Sequence, residues 1–447
     1  MLASFLAYLT YIYTAMVKKL FLVLLITPLL SVAQQTISGT FTPAENYKWG
    51  ILYQVTPTGT LYTADTQIDE KGQFTMPLDS TVTPGVYRFV YGVPPEANNF
   101  EFIYNAQEDI NLSYSEETGL TFNTSDENKR WVSYTKIMDA LQHEVNQIYT
   151  SENPIEAKLD SLFKQQESVY HIYKGSSKGK MVSSFINAYQ PYIPVTQIDA
   201  AAYIKAKSQH FLEVVNFNNP VLQKSGFLLE QSLQFLKDSP FPMEKNIDGL
   251  AKNLAQSKPE FQKVFMTVLW NRLQEANKTK ASNYLATKYL IPLATELGDK
   301  PFAKQLQIEV STSVGAKSPN FSWKDKEEQT QWFHDLETAK KYILVFWSSS
   351  CSHCLMELPK LQKKMASFAK DEYQVVAFGL EDDIYSWRNE ILRLPEFLHI
   401  PGLGKWQNET GNAYNVSKTP TYYVMNSEKV IIAKPNELVD LFEILSE

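Results

Sequence analysis

Tyr342-Ile343-Leu344-Val345-Phe346-Trp347-Ser348-Ser349-Ser350-Cys351-Ser352-His353-Cys354 decides how this chain is read. An apolar, β-prone run ends in three serines, followed by the protein's only two cysteines, spaced C-x-x-C. Leu355 to Lys370 reads as a helix, so the thiol pair stands where a buried strand hands over to a helix. Cys351 falls at the helix N-cap, where unpaired backbone N–H groups and the macrodipole favour negative charge and make a thiolate available. Cys354, one turn on, is placed to attack a mixed disulfide formed on Cys351. A bond between thiols three residues apart closes a tiny loop and removes little unfolded-chain entropy, so the pair is a poor structural staple. Zinc would need four ligands and usually a second cysteine pair, which is absent, so no metal is expected.

Around this stretch, residues 313–447 alternate strand and helix. Asn320–Trp323 reads as a short strand and Thr330–Leu336 as a short helix. Gln374–Leu380 reads as a buried strand and Ile384–Leu392 as a helix, followed by a loop holding Pro395, Pro401, Gly402 and Gly404. A short helix is expected over Gly411–Tyr414. Thr421–Met425 and Lys429–Ala433 form a hairpin, and Glu437–Leu445 a closing helix. The order β-α-β, hairpin, helix makes an α/β domain.

The run Phe346-Trp347-Ser348-Ser349-Ser350-Cys351-Ser352-His353-Cys354-Leu355-Met356-Glu357-Leu358-Pro359-Lys360-Leu361 resembles the motif F-W-x-x-x-C-x-x-C-x-x-E-x-P-x-L of the TlpA-like exported thiol–disulfide oxidoreductases. Ser318-Pro319-Asn320-Phe321 is similar to that family's strand entry, and Val416-Ser417-Lys418-Thr419-Pro420-Thr421 to its cis-proline segment. The resemblance implies a thioredoxin-like fold, a redox disulfide between Cys351 and Cys354, and no dissociable cofactor. It implies a cis Thr419-Pro420 bond facing the dithiol, with Trp347, Thr419 and Pro420 on the substrate side. Glu357 matches the family's acid and is the candidate for proton handling near Cys354. Three positions depart from thioredoxin: Ser350 replaces a tryptophan, Val345 a buried carboxylate, and His353 a proline. Cys-x-His-Cys is similar to the periplasmic disulfide-oxidase motif, which implies a potential above thioredoxin's, about −270 mV.

Ahead of this domain, Thr36 to Phe122 has a β pattern, with runs at Trp49–Val55, Gln73–Leu78, Gly85–Tyr91 and Asn99–Tyr104 separated by turn signals. A small antiparallel sandwich or barrel is expected, with Phe74, Tyr87, Phe89 and Tyr91, and also Tyr53 and Tyr62, as core rather than ligand platform. Asp69-Glu70-Lys71-Gly72-Gln73-Phe74 and Pro84-Gly85-Val86-Tyr87 resemble, in order and flavour, the front domains of similar exported proteins. From Thr124 to Thr312 the period becomes helical, with seven to nine helices and breaks that include Asn153-Pro154 and Ile291-Pro292. His143, His171 and His210 lie here without ligand spacing and are read as hydrogen-bonded or surface histidines.

Lys18-Lys19, the apolar run Leu20 to Leu30 and Ser31-Val32-Ala33 read as a secretory signal, with Met16 as the better start and cleavage before Gln34. The run falls short of the roughly 20 residues needed to span a bilayer. The domains expected are therefore 1–33 signal, 34–123 all-β, 124–312 all-α and 313–447 thioredoxin-like. A net charge of −7 argues against a nucleic-acid partner. The reading is a periplasmic or cell-envelope oxidoreductase acting on protein thiols and served by an envelope redox partner. Two alternatives stay open: an envelope binding protein with a modulatory dithiol, and a peroxiredoxin-like peroxidase. The peroxidase motif P-x-x-x-[ST]-x-x-C would need proline where Leu344 stands, and only Ser348 fits it.

Overall fold

The computed structural model describes residues 35–57, 59–151 and 156–446. The expected signal segment lies outside the described residues. No described helix is long and apolar enough to cross a membrane. The chain forms two compact units, one from the described residues up to Glu144 with Lys164–Asn187, the other from Val145–Phe163 and Ala188–Glu447.

The first unit holds β1 (Thr36–Thr42), β2 (Trp49–Thr56), β3 (Gly59–Gln67), β4 (Gln73–Pro77), β5 (Gly85–Val90), β6 (Asn99–Tyr104), β7 (Ile110–Ser115) and β8 (Gly119–Phe122). They make two four-stranded sheets, β4-β1-β7-β8 and β3-β2-β5-β6. The expected all-antiparallel arrangement is corrected at one pair, because β1 and β7 run parallel. Alternating residues of both sheets meet in an aromatic core around Phe41, Phe74, Tyr87, Phe89 and Tyr91. Tyr62 is exposed and packs edge-on to the partly buried Tyr53, so these two stand outside that core. The Asp-x-x-Gly-x-Phe turn has a clear physical basis. Asp69 Oδ1 accepts the N–H groups of Lys71 and Gln73, at 2.9 and 2.8 Å. Gly72 has φ +77°, and a Cβ there would meet the Phe41 carbonyl oxygen. Helices α1 (Asp126–Tyr149), α2 (Glu156–Ser176) and α3 (Val182–Ala188) follow the sheets in the chain.

The second unit continues with α4 (Ala200–Val214), α5 (Phe227–Asp238), α6 (Met243–Leu254), α7 (Pro259–Glu275), α8 (Thr279–Leu285), α9 (Ile291–Glu296) and α10 (Lys300–Ser311). The break expected at Ile291-Pro292 does not occur. A π turn over Ala286–Leu290 joins α8 to α9, and the Ile291 N–H bonds back to the Ala286 carbonyl. The wider turn takes up the local geometry that proline disturbs in an α-helix.

The α/β part comprises β9 (Ser322–Lys324), β10 (Thr330–Trp332), β11 (Lys341–Trp347), α11 (Ser352–Met365), β12 (Tyr373–Glu381), α12 (Tyr385–Ile391), β13 (Leu398–Leu403), α13 (Glu409–Ala413), β14 (Thr421–Asn426), β15 (Ile431–Ala433) and α14 (Leu438–Ile444). Two expectations change here. Thr330–Trp332 is a strand paired antiparallel to β9, and only Phe333–Asp335 turns as a short 3-10 helix. The expected loop around Pro401 contains β13, parallel to β12. Proline is tolerated there because β13 is the edge of the sheet β13-β12-β11-β14-β15.

β11, β12 and β13 run parallel, and β14 runs antiparallel to β11. The ends of the first three and the beginning of β14 therefore share one edge of the sheet. Residues of β11 alternate between two cores: Ile343, Val345 and Trp347 pack with Leu358 and Leu361 of α11, and Tyr342, Leu344 and Phe346 pack on the opposite face. Full burial of each such aliphatic side chain contributes roughly 1.5–3 kcal/mol. Gly379 is required where α12 crosses β12, since a Cβ would fall 2.4 Å from Trp387 Nε1. The linking segment is tied to this domain by Gly315 N–H to Ile431 O (2.8 Å) and Ser318 N–H to Lys429 O (3.0 Å), and Asn415 Nδ2 donates to Glu309 of α10 (3.2 Å).

Candidate active site

The last residue of β11 is Trp347, and four residues later Cys351 caps α11 from an extended conformation, φ −92° and ψ 109°. The Cys351 sulfur accepts the Cys354 N–H at 3.2 Å and its thiol donates to the Thr419 carbonyl at 3.4 Å. Helix start and β14 entry therefore meet on one sulfur atom. Both cysteines are free thiols, Cys351 partly exposed and Cys354 0% exposed. The Thr419-Pro420 peptide is cis. One sulfur is thus partly open to solvent, while the other is closed off from it.

Burial pushes the Cys354 thiol well above its ordinary value, and the Cys351 contact adds to the rise. A raised folded-state value means the folded state holds this proton more tightly than the unfolded chain. Its contribution to stability is full below the unfolded thiol value, about 8.5, and declines as pH rises above it. Reduced protein should therefore lose urea resistance between pH 8 and 10 by up to about 1.4 kcal/mol per pH unit. Cys354→Ala should lack that slope, and an equal slope in the variant would assign it to other groups.

Of the expected groups, Glu357, Thr419 and Pro420 stand near the sulfurs, His353 precedes Cys354 at the surface, and Trp347 lies buried. Glu357, half-buried one turn beyond Cys354, accepts the Tyr422 hydroxyl at 2.8 Å. Burial, reinforced by Glu357, raises the Tyr422 phenol far above its usual range, so it stays a neutral donor. The Thr419 carbonyl, at the cis bond to Pro420, lies against the Cys351 sulfur. His353 is exposed on the first turn of α11. Trp347 requires a correction: it is 0% exposed and packed with Cys354, Leu358 and Trp387, so its indole supports the site from below and cannot touch a protein substrate. His143 and His171 are exposed residues of the first unit, and His210 packs against Tyr192 in the helical part of the second.

Two residues of this neighbourhood escape a sequence reading. Tyr422 reads as one more aromatic in a strand, yet it is the polar group in the rung that Val345 and Ala377 otherwise line with hydrocarbon. Glu381 reads as the first of an acidic loop, Glu381-Asp382-Asp383, yet it is buried beneath the serine triplet and accepts the Ser349 N–H at 2.6 Å. The only signal for it was the coincidence of three hydroxyl residues before Cys351 and a carboxylate closing the next buried strand.

The AhpC/TSA family model matches residues 314–434. Thioredoxin-like protein YneN of Bacillus subtilis is 31% identical over 163 residues, which cover 33% of this chain and 86% of YneN. The chain belongs to the thioredoxin-like proteins. The AhpC/TSA match falls on the C-terminal part, where the motif around Cys351 implied a thioredoxin-like fold. A solved domain of a possible thiol-disulfide isomerase from Cytophaga hutchinsonii is 30% identical, covering 30% of this chain and 91% of that one, with a TM-score of 0.27. A thioredoxin-like protein from Bacteroides caccae is 15% identical and covers 57% of this chain and 98% of its own, with a TM-score of 0.38.

Proposed function

We propose that this thioredoxin-like protein is exported and exchanges disulfides with protein substrates in the cell envelope through Cys351 and Cys354. The observation that carries the reading is the asymmetry of the dithiol. A partly exposed sulfur caps α11 and touches the Thr419 carbonyl beside a cis proline, and its partner lies fully buried one turn away. Export is supported by the basic, apolar and small-residue order of Lys18 to Ala33.

The Cys351 thiolate attacks one sulfur of a substrate disulfide, and the departing substrate sulfur takes up a proton. Cys354 then gives up its proton and attacks the Cys351 sulfur, which breaks the mixed disulfide and releases the second substrate thiol. Two electrons have passed from the dithiol to the substrate, and a Cys351–Cys354 disulfide remains. An envelope thiol partner resets the pair, and the reverse sequence oxidises a substrate dithiol. Glu357, three residues from Cys354 on the same helix and held by Tyr422, is the carboxylate on which the Cys354 proton would be passed. His353 is the flanking group that would stabilise the reduced pair and bias the site towards oxidation.

In cells, Cys354→Ser should trap mixed disulfides on Cys351 that migrate as reductant-sensitive adducts. Failure to trap any protein, together with no reduction of insulin disulfides by the wild-type chain, would favour an envelope binding protein with a modulatory dithiol. A peroxidase reading draws on the AhpC/TSA match. Against it, Leu344, where that motif needs proline, is 0% exposed inside β11 and packs on the sheet face away from the cysteines.

A further inference from the structure

The carboxylate that closes β12 is connected to the nucleophile by hydrogen bonds at every step. Glu381 is 4% exposed. Its Oε1 accepts the Ser349 N–H at 2.6 Å, and its Oε2 accepts the hydroxyls of Ser349 and Ser348 at 2.9 and 3.3 Å. The Ser348 hydroxyl lies 3.0 Å from that of Ser350 and accepts the Ser350 N–H at 3.3 Å. The Ser348 carbonyl then accepts the Cys351 N–H at 3.0 Å. Residues 348–351 belong to no helix or strand, so no ladder holds them.

Burying a carboxyl group is costly unless its oxygens are satisfied, and burial does push the Glu381 carboxyl above its ordinary value. The bonds to Ser349 and Ser348 oppose that rise, as does Lys405, whose ammonium is itself paired with Asp382 at 3.0 Å. The Ser349 N–H can only donate, so the oxygen facing it is an acceptor in either protonation state.

We propose that Glu381 is a positioning residue for the dithiol: by holding Ser348 and Ser349 it sets the loop so that Cys351 caps α11 and its sulfur meets both the Cys354 N–H and the Thr419 carbonyl. This deepens the exchange reaction proposed above and rests on it only in taking Cys351 as the nucleophile. A purely electrostatic role has the opposite sign. A buried negative charge near Cys351 disfavours the thiolate, so its removal alone would make Cys351 react at lower pH. Loss of positioning withdraws the helix N-terminus from the sulfur and moves reaction to higher pH.

The test is the pH profile of iodoacetamide alkylation at Cys351 in the reduced, full-length protein. In Glu381→Ala the midpoint should move to higher pH and the rate at pH 7 should fall about fivefold. Glu381→Gln keeps an oxygen for the Ser349 N–H and should stay within about twofold of wild type. The double variant Ser348→Ala/Ser349→Ala keeps the carboxylate and should shift in the same direction as Glu381→Ala by a smaller amount. A midpoint that is unchanged or moves to lower pH in Glu381→Ala and in the serine variant overturns the proposal, as does a Glu381→Gln profile as displaced as that of Glu381→Ala. If Glu381→Ala gives no folded protein, the serine double variant and Glu381→Gln decide the matter. Alkylation needs no protein substrate, so a wild-type chain that fails to reduce insulin would sink the exchange reading and leave this one standing.

Discussion

Cys351→Ser should lower insulin-disulfide reduction by the full chain at least about a thousandfold, the equivalent of roughly 4 kcal/mol in the barrier. A serine hydroxyl is not ionised near neutral pH and cannot form the mixed disulfide, so the variant removes the bond-forming atom itself. Cys354 cannot take its place. Its sulfur is 0% exposed, and burial holds it as the neutral thiol. The variant should be well folded, because serine is a good N-cap residue and its oxygen can accept the Cys354 N–H that the sulfur now accepts. Stability and activity therefore separate cleanly. Retention of more than about a tenth of wild-type turnover by folded Cys351→Ser protein would place the reacting group elsewhere.

Trp347→Ala should cost the α/β part about 3–5 kcal/mol. Its indole is among the largest fully buried side chains, and it stands between the dithiol helix and α12, in contact with the cluster of Cys354, Leu358, Leu394 and Phe397. Removal leaves a cavity that β11 cannot close, because its backbone is held in register by β12 on one side and β14 on the other. The two cysteines make a local reporter, since no other thiol exists in the chain. Labelling of Cys354 with a thiol reagent across a urea series follows the unfolding of this part alone, whatever the rest of the chain does. A midpoint shift worth less than about 1 kcal/mol would show that neighbours refill the space.

The elements legible from residue patterns were those whose information is local. β11 is a continuous apolar run, α11 begins at a cysteine that can cap it, and the β14–β15 hairpin is marked by its turn residues. β13 was not legible, because Pro401, Gly402 and Gly404 imitate a loop. Gly402 is there because a side chain would strike Phe378 of the neighbouring strand, a reason that exists only once the strands are paired. Thr330–Trp332 became a strand for the same kind of reason: its pairing with Ser322–Lys324 overrides the helical reading of its own residues.

The site divides along the same line. The spacing of Cys351 and Cys354 could be read from the chain alone, because thiol exchange needs a nucleophile and a resolver close together. Glu357 and the Thr419-Pro420 segment were named by resemblance to a family motif. The sequence by itself thus determined where the dithiol stands and the helix that displays it. Tertiary structure alone decided that Trp347 is a support and not a contact, that the Cys351 thiol meets the Thr419 carbonyl, and that Tyr422 and Glu381 lie against the site. Burial and hydrogen bonding between residues 32 to 68 positions apart set those outcomes. No local pattern encodes them, because each depends on which strand ends meet at one edge of the sheet.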